Sequence, residues 1–501
     1  MRPTSSPDLL LINPGGRTNI YQALASKLAA IEPPIWAGLI ASYIRKKGFS
    51  VAILDANAED ICPDEVADRV KAISPLLTAV VAYGHNPSAS TQVMPSAGAI
   101  CTAIKDNGSQ SSIILLGGHV AALPEQTLRE EIADYVCDGE GPVTILELLQ
   151  HLHGRGQSLD SVRGLLYREG DDVVHTSPAP LITALDNEMP GIAWDLFPMG
   201  RYRAHNWHCF DGMERQPYAA LYTSLGCPCR CSFCCIQAPF KSGEAVSGYN
   251  KNINSYRLWN PESVIVEIDI LVQNYGIRNI KFADELFVLN PEHVNGICDL
   301  IISRGYDLNI WAYSRVDTLK ETMLEKLKRA GVTWLALGIE SASDRVRDDA
   351  SKGFAHDRIF NTVQAIRRVD INIGANYIFG LPEDDLESMQ ATLDLALALN
   401  TEWANFNCAM AYPGSQLYEQ ALHEGWQLPE DWSGYSQYSF NSLPLRTRHL
   451  SASEVLRFRD EAFHTYFSNP EYLKLIQDKF GDAAVDHVQE MTHHRLKRKY
   501  S

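Results

Sequence analysis

Five of the chain's eleven cysteines fall within ten positions, GCPCRCSFCC at residues 226–235. Cys227, Cys231 and Cys234 are spaced C-x3-C-x2-C directly after a strand-like apolar run. Three thiolates on one short loop can ligate three irons of a 4Fe-4S cluster and leave the fourth iron without a protein ligand, a vacancy useful for chemistry. Two other chemistries stay open. Cys231 and Cys234 also spell C-x-x-C, which suits a redox dithiol if the motif opens a helix. Zinc would need a fourth ligand, and no second paired-cysteine motif follows. Cys229 and Cys235 are read as non-ligating neighbours. The remaining six, Cys62, Cys101, Cys137, Cys209, Cys298 and Cys408, lie mostly among apolar residues and read as reduced packing side chains.

Other polar residues sit where strand-like runs end. ADELF carries Asp284 and Glu285, GIES carries Glu340, and YIFGLPED carries Gly380. Taken singly, each acid reads equally well as a capping residue. Earlier in the chain, Ser88, Ser90 and Thr91 follow one apolar run, and Gly117 and Gly118 follow another; hydroxyls and close backbone there suit a polar cofactor tail. HNWHCF, residues 205–210, offers His205 and His208, but adjacent His208 and Cys209 fit one tetrahedral zinc site poorly, which favours substrate or cofactor contact.

The elements that must position these residues form two α/β units. DLLLIN, SVAILDAN, TAVVAYG, SIILLGG and the shorter ADYVCDGEG alternate with helix-length segments over residues 8–150, the pattern of a doubly wound, mostly parallel sheet with its crevice beyond the strands' carboxyl ends. Residues 151–217 read as a linker and cover segment with a hairpin around GLLYREGDDVVH. From 218 to 420, AALYTSL, IRNIKFAD, LNIWAYS, TWLALGIES, INIGANYIFG and WANFNCAMA are separated by amphipathic segments, six strand-helix repeats of a complete or partial barrel. Residues 421–501 read as a helical, substrate-capping region, with Tyr435, Tyr438 and Phe440 as candidate cavity residues.

Composition limits the function classes. The chain has 501 residues, 45% apolar and 21% charged, and a formal net charge of −17. That charge disfavours a nucleic-acid partner, which needs basic tracks. The dense basic run His493–Tyr500 reads as a solvated, frayed tail. No apolar stretch reaches the length of a membrane span, and a cytoplasmic location is the expectation.

With Phe233, the cysteine motif becomes C-x3-C-x-Phe-C and resembles the signature of the radical S-adenosylmethionine superfamily at the matching place in its partial barrel. GGHVAALPEQTL in the preceding sheet resembles the cobalamin-binding branch, so the resemblance spans about residues 8–420. It implies an N-terminal doubly wound sheet of cobalamin-binding type (1–150) and a partial (β/α)6 barrel (218–420), to which the periodicity of the C-terminal segment adds a mostly helical cap. It implies Cys227, Cys231 and Cys234 as cluster ligands, with Phe233, Asp284, Glu285, Glu340 and Gly380 around S-adenosylmethionine. Ser88, Ser90, Thr91, Gly117 and Gly118 would approach cobalamin. The Asp-x-His-x-x-Gly motif of a histidine-ligated corrinoid is absent, so no histidine is nominated below the cobalt. The implied reaction is methyl transfer from methylcobalamin to an unactivated carbon or phosphorus of a small molecule: one S-adenosylmethionine methylates the corrinoid, another yields the radical, and a flavodoxin or ferredoxin donates electrons. A cobalamin-dependent cyclase or rearrangement enzyme, or a non-catalytic cobalamin-binding module, would share nearly all these residues.

Overall fold

The computed structural model describes residues 6–22, 29–155 and 158–500. Seven strands form the first sheet in the order β2-β1-β3-β4-β5-β6-β7. β1 (Leu9–Asn13), β2 (Val51–Asp55), β3 (Leu77–Val81), β4 (Ser112–Leu116) and β5 (Tyr135–Cys137) pair in parallel. The hairpin expected in the linker, β6 (Leu165–Glu169) and β7 (Asp172–His175), extends this sheet antiparallel beyond residue 150. Continuous apolar runs serve a sheet buried on both faces. Leu9 and Leu11 pack into one core while Leu10 and Ile12 pack into the other. β1 lies between β2 and β3, so the chain reverses direction there and the crevice opens at the ends of β1 and β3.

The second sheet has the order β15-β14-β13-β12-β11-β8, all parallel: β8 (Tyr218–Leu221), β11 (Asn279–Phe282), β12 (Asn309–Arg315), β13 (Val332–Glu340), β14 (Asn372–Phe379) and β15 (Trp403–Cys408). All six expected strands are present as a partial barrel, except that AALYTSL is divided. Its end forms β9 (Ser224–Gly226), which pairs antiparallel with β10 (Tyr256–Leu258) and redirects the chain into the cysteine loop. Helices between the strands start and stop where the sequence dictates. Pro261 opens Pro261–Tyr275, which ends at Gly276 in a left-handed conformation; Asn290 caps Pro291–Arg304, and Asp385 makes a capping box with Ser388. Helices Ala452–Phe467, Pro470–Phe480 and Asp482–His493 form the expected helical region.

HNWHCF plugs the barrel floor. Trp207 packs 5.3 Å from Trp311 and 5.1 Å from Trp334, aromatic residues near the starts of β12 and β13. Cys62 corrects the packing assignment, because it is exposed, whereas Cys101, Cys137, Cys209, Cys298 and Cys408 are buried and unbridged.

Candidate active site between the two sheets

A chamber of about 1040 Å³ lies between the carboxyl ends of the first sheet's strands, the barrel interior and the C-terminal helices. Asn13 to Gly15 after β1 and Gly84 to Ser88 after β3 form one wall, and Phe233, Cys234 and Cys235 belong to another. This volume slightly exceeds the range of about 300–1,000 Å³ usual for small-molecule pockets.

The cysteine loop is pinned from several directions. Gly226 has φ +83°, and a Cβ there would stand 2.2 Å from Ser255 O, so the backbone approach requires glycine. Asn254 Nδ2 donates to Cys227 O (3.0 Å) and Cys229 O (2.7 Å), Ser232 N to Ala350 O (3.1 Å), and Leu417 N to Ser232 O (2.8 Å). Arg315 Nη1 donates to Cys231 Sγ at 3.2 Å. Burial raises the Cys231 thiol pKa, while Lys352 and Arg315 pull it down. The neighbouring Cys227 thiol, with Arg315, lowers the Cys229 thiol pKa against burial.

Among the described residues no three His, Cys, Asp or Glu side chains converge on a point fit for a single metal ion. A cluster makes a different demand, since each thiolate meets its own iron. Three thiols on one pinned loop, with two cations to stabilise thiolates, fit that donor set. The chamber beside the strand ends likewise fits a large polar cofactor: Arg17, which lines it, buries Nη1 without a hydrogen-bond acceptor.

The sequence-nominated residues divide. Phe233 and Glu285 line the chamber. Burial pushes Glu285 up to about 7, with Lys281 lowering and Asp284 raising it. Asp284 faces elsewhere: Thr223 N and Oγ1 and Ser224 Oγ donate to its carboxylate, tying β11 to the end of β8, and it does not line the chamber. Glu340 sits at a bulge with φ +65° and pairs with buried Lys352, whose Nζ lies 5.9 Å from the Phe233 ring. Gly338 makes room for that pair, because a Cβ there would meet Lys352 Nζ at 2.6 Å. Gly380, φ +84°, accommodates Val455 of the helix Ala452–Phe467 and is absent from the chamber lining.

Of the first-sheet candidates, Ser88 lines the chamber. Ser90 Oγ donates to Ala82 O and accepts from His119 N (2.8 Å), and buried Thr91 contacts His119 Nδ1 (3.3 Å). Gly117 is required by its φ of +153° and the nearness of Ala82 O; Gly118 borders a small second cavity with Ser90, Pro239 and Glu285. These two glycines and Ser90 hold the turn against the barrel.

His205 lines the chamber, 3.5 Å from Glu32 Oε1. His208 does not: it is fully buried in the aromatic floor, its pKa lowered to about 3 chiefly by burial. Tyr438 lines the chamber, Tyr435 packs against Tyr412 and Trp432, and Phe440 is 50% exposed, so the last two are corrected from cavity to packing and surface positions. The basic run is corrected too, since His494, Arg495 and Arg498 line the chamber.

The sequence reading missed Lys281 and Glu32. Lys281 Nζ lies 2.9 Å from Glu32 Oε2, donates to His85 O (3.0 Å) and stands 5.0 Å from the Trp311 ring. Against the upward push of burial, Lys281 holds the Glu32 carboxyl well below its usual range. A lysine inside the strand-like segment NIKF was the available signal.

The Radical SAM superfamily profile matches residues 221–396, and the B12 binding domain profile matches residues 21–149. An uncharacterized methyltransferase of Pyrococcus horikoshii is 30% identical over 449 residues, covering 89% of this chain and 90% of that protein. The anaerobic magnesium-protoporphyrin IX monomethyl ester cyclase of Cereibacter sphaeroides is 23% identical over 446 residues, covering 87% of this chain and 67% of that protein. The structure of the radical S-adenosylmethionine methyltransferase TsrM from Kitasatospora setae, with cobalamin and a 4Fe-4S cluster bound, superposes with a TM-score of 0.67 at 16% identity, covering 93% of this chain and 90% of that one. That identity makes the likeness one of fold.

Proposed function

The chain belongs to the radical SAM enzymes that carry an N-terminal B12-binding domain, and from that membership we propose that it is a cobalamin-dependent methyltransferase acting on an unactivated carbon or phosphorus of a small molecule. The observation that carries this reading is the single chamber shared by the first sheet's strand ends and the cysteine loop. A methyl donor held by one half and a radical source held by the other must face one substrate, and a common chamber permits that.

Cys227, Cys231 and Cys234 would hold three irons of the cluster. Phe233 and Glu285 would border S-adenosylmethionine at the open iron, and the strand ends at Asn13 to Gly15 and Gly84 to Ser88 would border cobalamin. When bound, these groups supply an adenosyl radical and a transferable methyl group, with electrons from a flavodoxin or ferredoxin. The protein's own residues orient and enclose. Lys281 and Glu32 join the two halves across the chamber, and the Trp207 floor closes the barrel's far end against water.

A cyclase is the second reading, favoured by the likeness to the Cereibacter sphaeroides enzyme. The methyltransferase relative is more similar and is matched along nearly its whole length. The test is a substrate-library assay with reduced, reconstituted enzyme and S-adenosylmethionine carrying an isotopic methyl group. Methyl transfer gives labelled product with 5'-deoxyadenosine and S-adenosylhomocysteine. A substrate converted cleanly without label overturns methyl transfer in favour of cyclisation or rearrangement.

A further inference from the structure

One wall of the chamber, built by the helix Ala452–Phe467 and residues 494–498, carries more cations than counter-ions. Arg459 is buried, with Nε donating to Phe406 O at 2.8 Å and Nη1 to Asp460 Oδ1 at 3.0 Å; among the described residues its Nη2 meets no protein acceptor. Arg498 directs Nε and Nη2 at the same carboxylate (2.9 and 2.8 Å) and Nη1 at Gln437 O (2.6 Å) and Ser439 O (3.2 Å). Two guanidiniums therefore share one aspartate.

The charge around them reinforces the excess. Exposed Arg457 and Arg495 line this wall, and the acids lining it are Asp460 and exposed Glu461. His464 is held below its ordinary pKa by burial first, and then by the guanidiniums of Arg495 and Arg459, with Asp460 opposing. Elsewhere in the chamber lining, buried Lys281 has Glu32 and partly buried Arg17 has Asp60. On a chain of net charge −17 this local surplus is against the general trend.

Among the described residues Arg459 Nη2 is a donor left open on the chamber wall, and arginine's fork matches carboxylate and phosphate geometry. We propose that the substrate carries a carboxylate or phosphate that docks on Arg459 and Arg498. This rests on the chamber being the site of methyl transfer. The same chemistry would also receive the phosphate of the corrinoid's nucleotide tail, so the two sources must be separated.

The test is calorimetric titration of the purified full chain with inorganic phosphate and with acetate, before and after loading with cobalamin. Saturable binding of at least one anion is expected in both states. Asp460→Asn should tighten it by roughly tenfold, because both guanidiniums lose their competing carboxylate, and Arg459→Gln should weaken it by a similar factor. A folding defect lowers affinity and cannot raise it, so Asp460→Asn decides the matter even if Arg459→Gln fails to fold. Absence of saturable binding, or an Asp460→Asn chain no tighter than wild type, overturns the site. Anion binding abolished by cobalamin loading assigns the wall to the cofactor and overturns the substrate assignment. Neither titration depends on turnover, so failure here and failure of the labelled-methyl assay are read independently.

Discussion

Arg315 is fixed by Asp317 and aimed at Cys231. Its Nε and Nη2 lie 2.8 Å from the two Asp317 carboxylate oxygens, which leaves Nη1 directed at Cys231 Sγ. A charged donor on a ligating sulfur stabilises added negative charge, so it raises the reduction potential of an attached cluster. Arg315→Gln should keep the reconstituted cluster and make its potential more negative in a redox titration. An unchanged potential would mean that Arg315 does not act on the cluster.

Replacing Cys227, Cys231 and Cys234 together by alanine should abolish the 4Fe-4S absorption and paramagnetic spectra, whereas Cys235→Ser should keep them. Cys229→Ser is the sharper case, because the Cys229 thiol adjoins Cys227 and is lowered in pKa by it and by Arg315. Iron and sulfide content near wild type is the expected result. Its loss in a folded Cys229→Ser chain would change the ligand set.

Removing Lys281 strands a buried carboxylate. Lys281→Met should cost about 3–5 kcal/mol, the usual effect of breaking a buried ion pair from one side, seen as a lower thermal midpoint. Adding Glu32→Leu should recover much of the loss. A double variant no better than the single would show that the pair is not coupled.

Glu267 accepts hydrogen bonds from Ile192 N (2.9 Å) and Trp194 Nε1 (2.8 Å), and burial pushes its pKa from 4.5 up to about 7. A carboxyl with a raised folded pKa binds its proton more tightly when folded. Its stabilising contribution is therefore present below about pH 4.5 and is lost as pH rises to about 7, amounting to about 3 kcal/mol at most. Glu267→Gln should flatten this part of the pH–stability curve and melt higher than wild type at pH 8. Parallel curves would contradict the assignment.

Gly380 has φ +84°, and a Cβ there would meet Val455 Cγ1 at 2.5 Å. Gly380→Ala should destabilise by about 1–3 kcal/mol through backbone strain, with overpacking adding to it. Val455→Ala in the same chain should relieve the contact but leave the strain, giving partial recovery of the thermal midpoint.

Strands were the legible part of the sequence. A run such as SIILLGG announces itself because both faces of that strand are buried from Ile113 to Leu116, so those successive positions are apolar. The cysteine loop was legible because its spacing is local. Asp284 and Glu285 were not separable in this way: adjacent acids at a strand end look alike, and the hydroxyls of Thr223 and Ser224, brought in by a neighbouring strand, claim one and leave the other facing the chamber. Arg498 looked like a solvated tail residue because its partner Asp460 lies 38 positions away on a helix. Phe440 and His208 exchanged the roles that composition suggests, since an aromatic residue can remain exposed and a histidine can fill an aromatic floor.

The contact between Lys281 and Glu32 also bears on how freely the two halves of the chain can be exchanged with those of relatives. A barrel strand here carries the counter-charge for a loop of the front sheet, so the halves are matched in their interiors and not just joined end to end. A chimera that kept residues 218–420 and imported a foreign front half would have to bring an acid to the place of Glu32 or surrender the lysine. Shuffling at the linker is thus constrained from inside the chamber, far from the splice point.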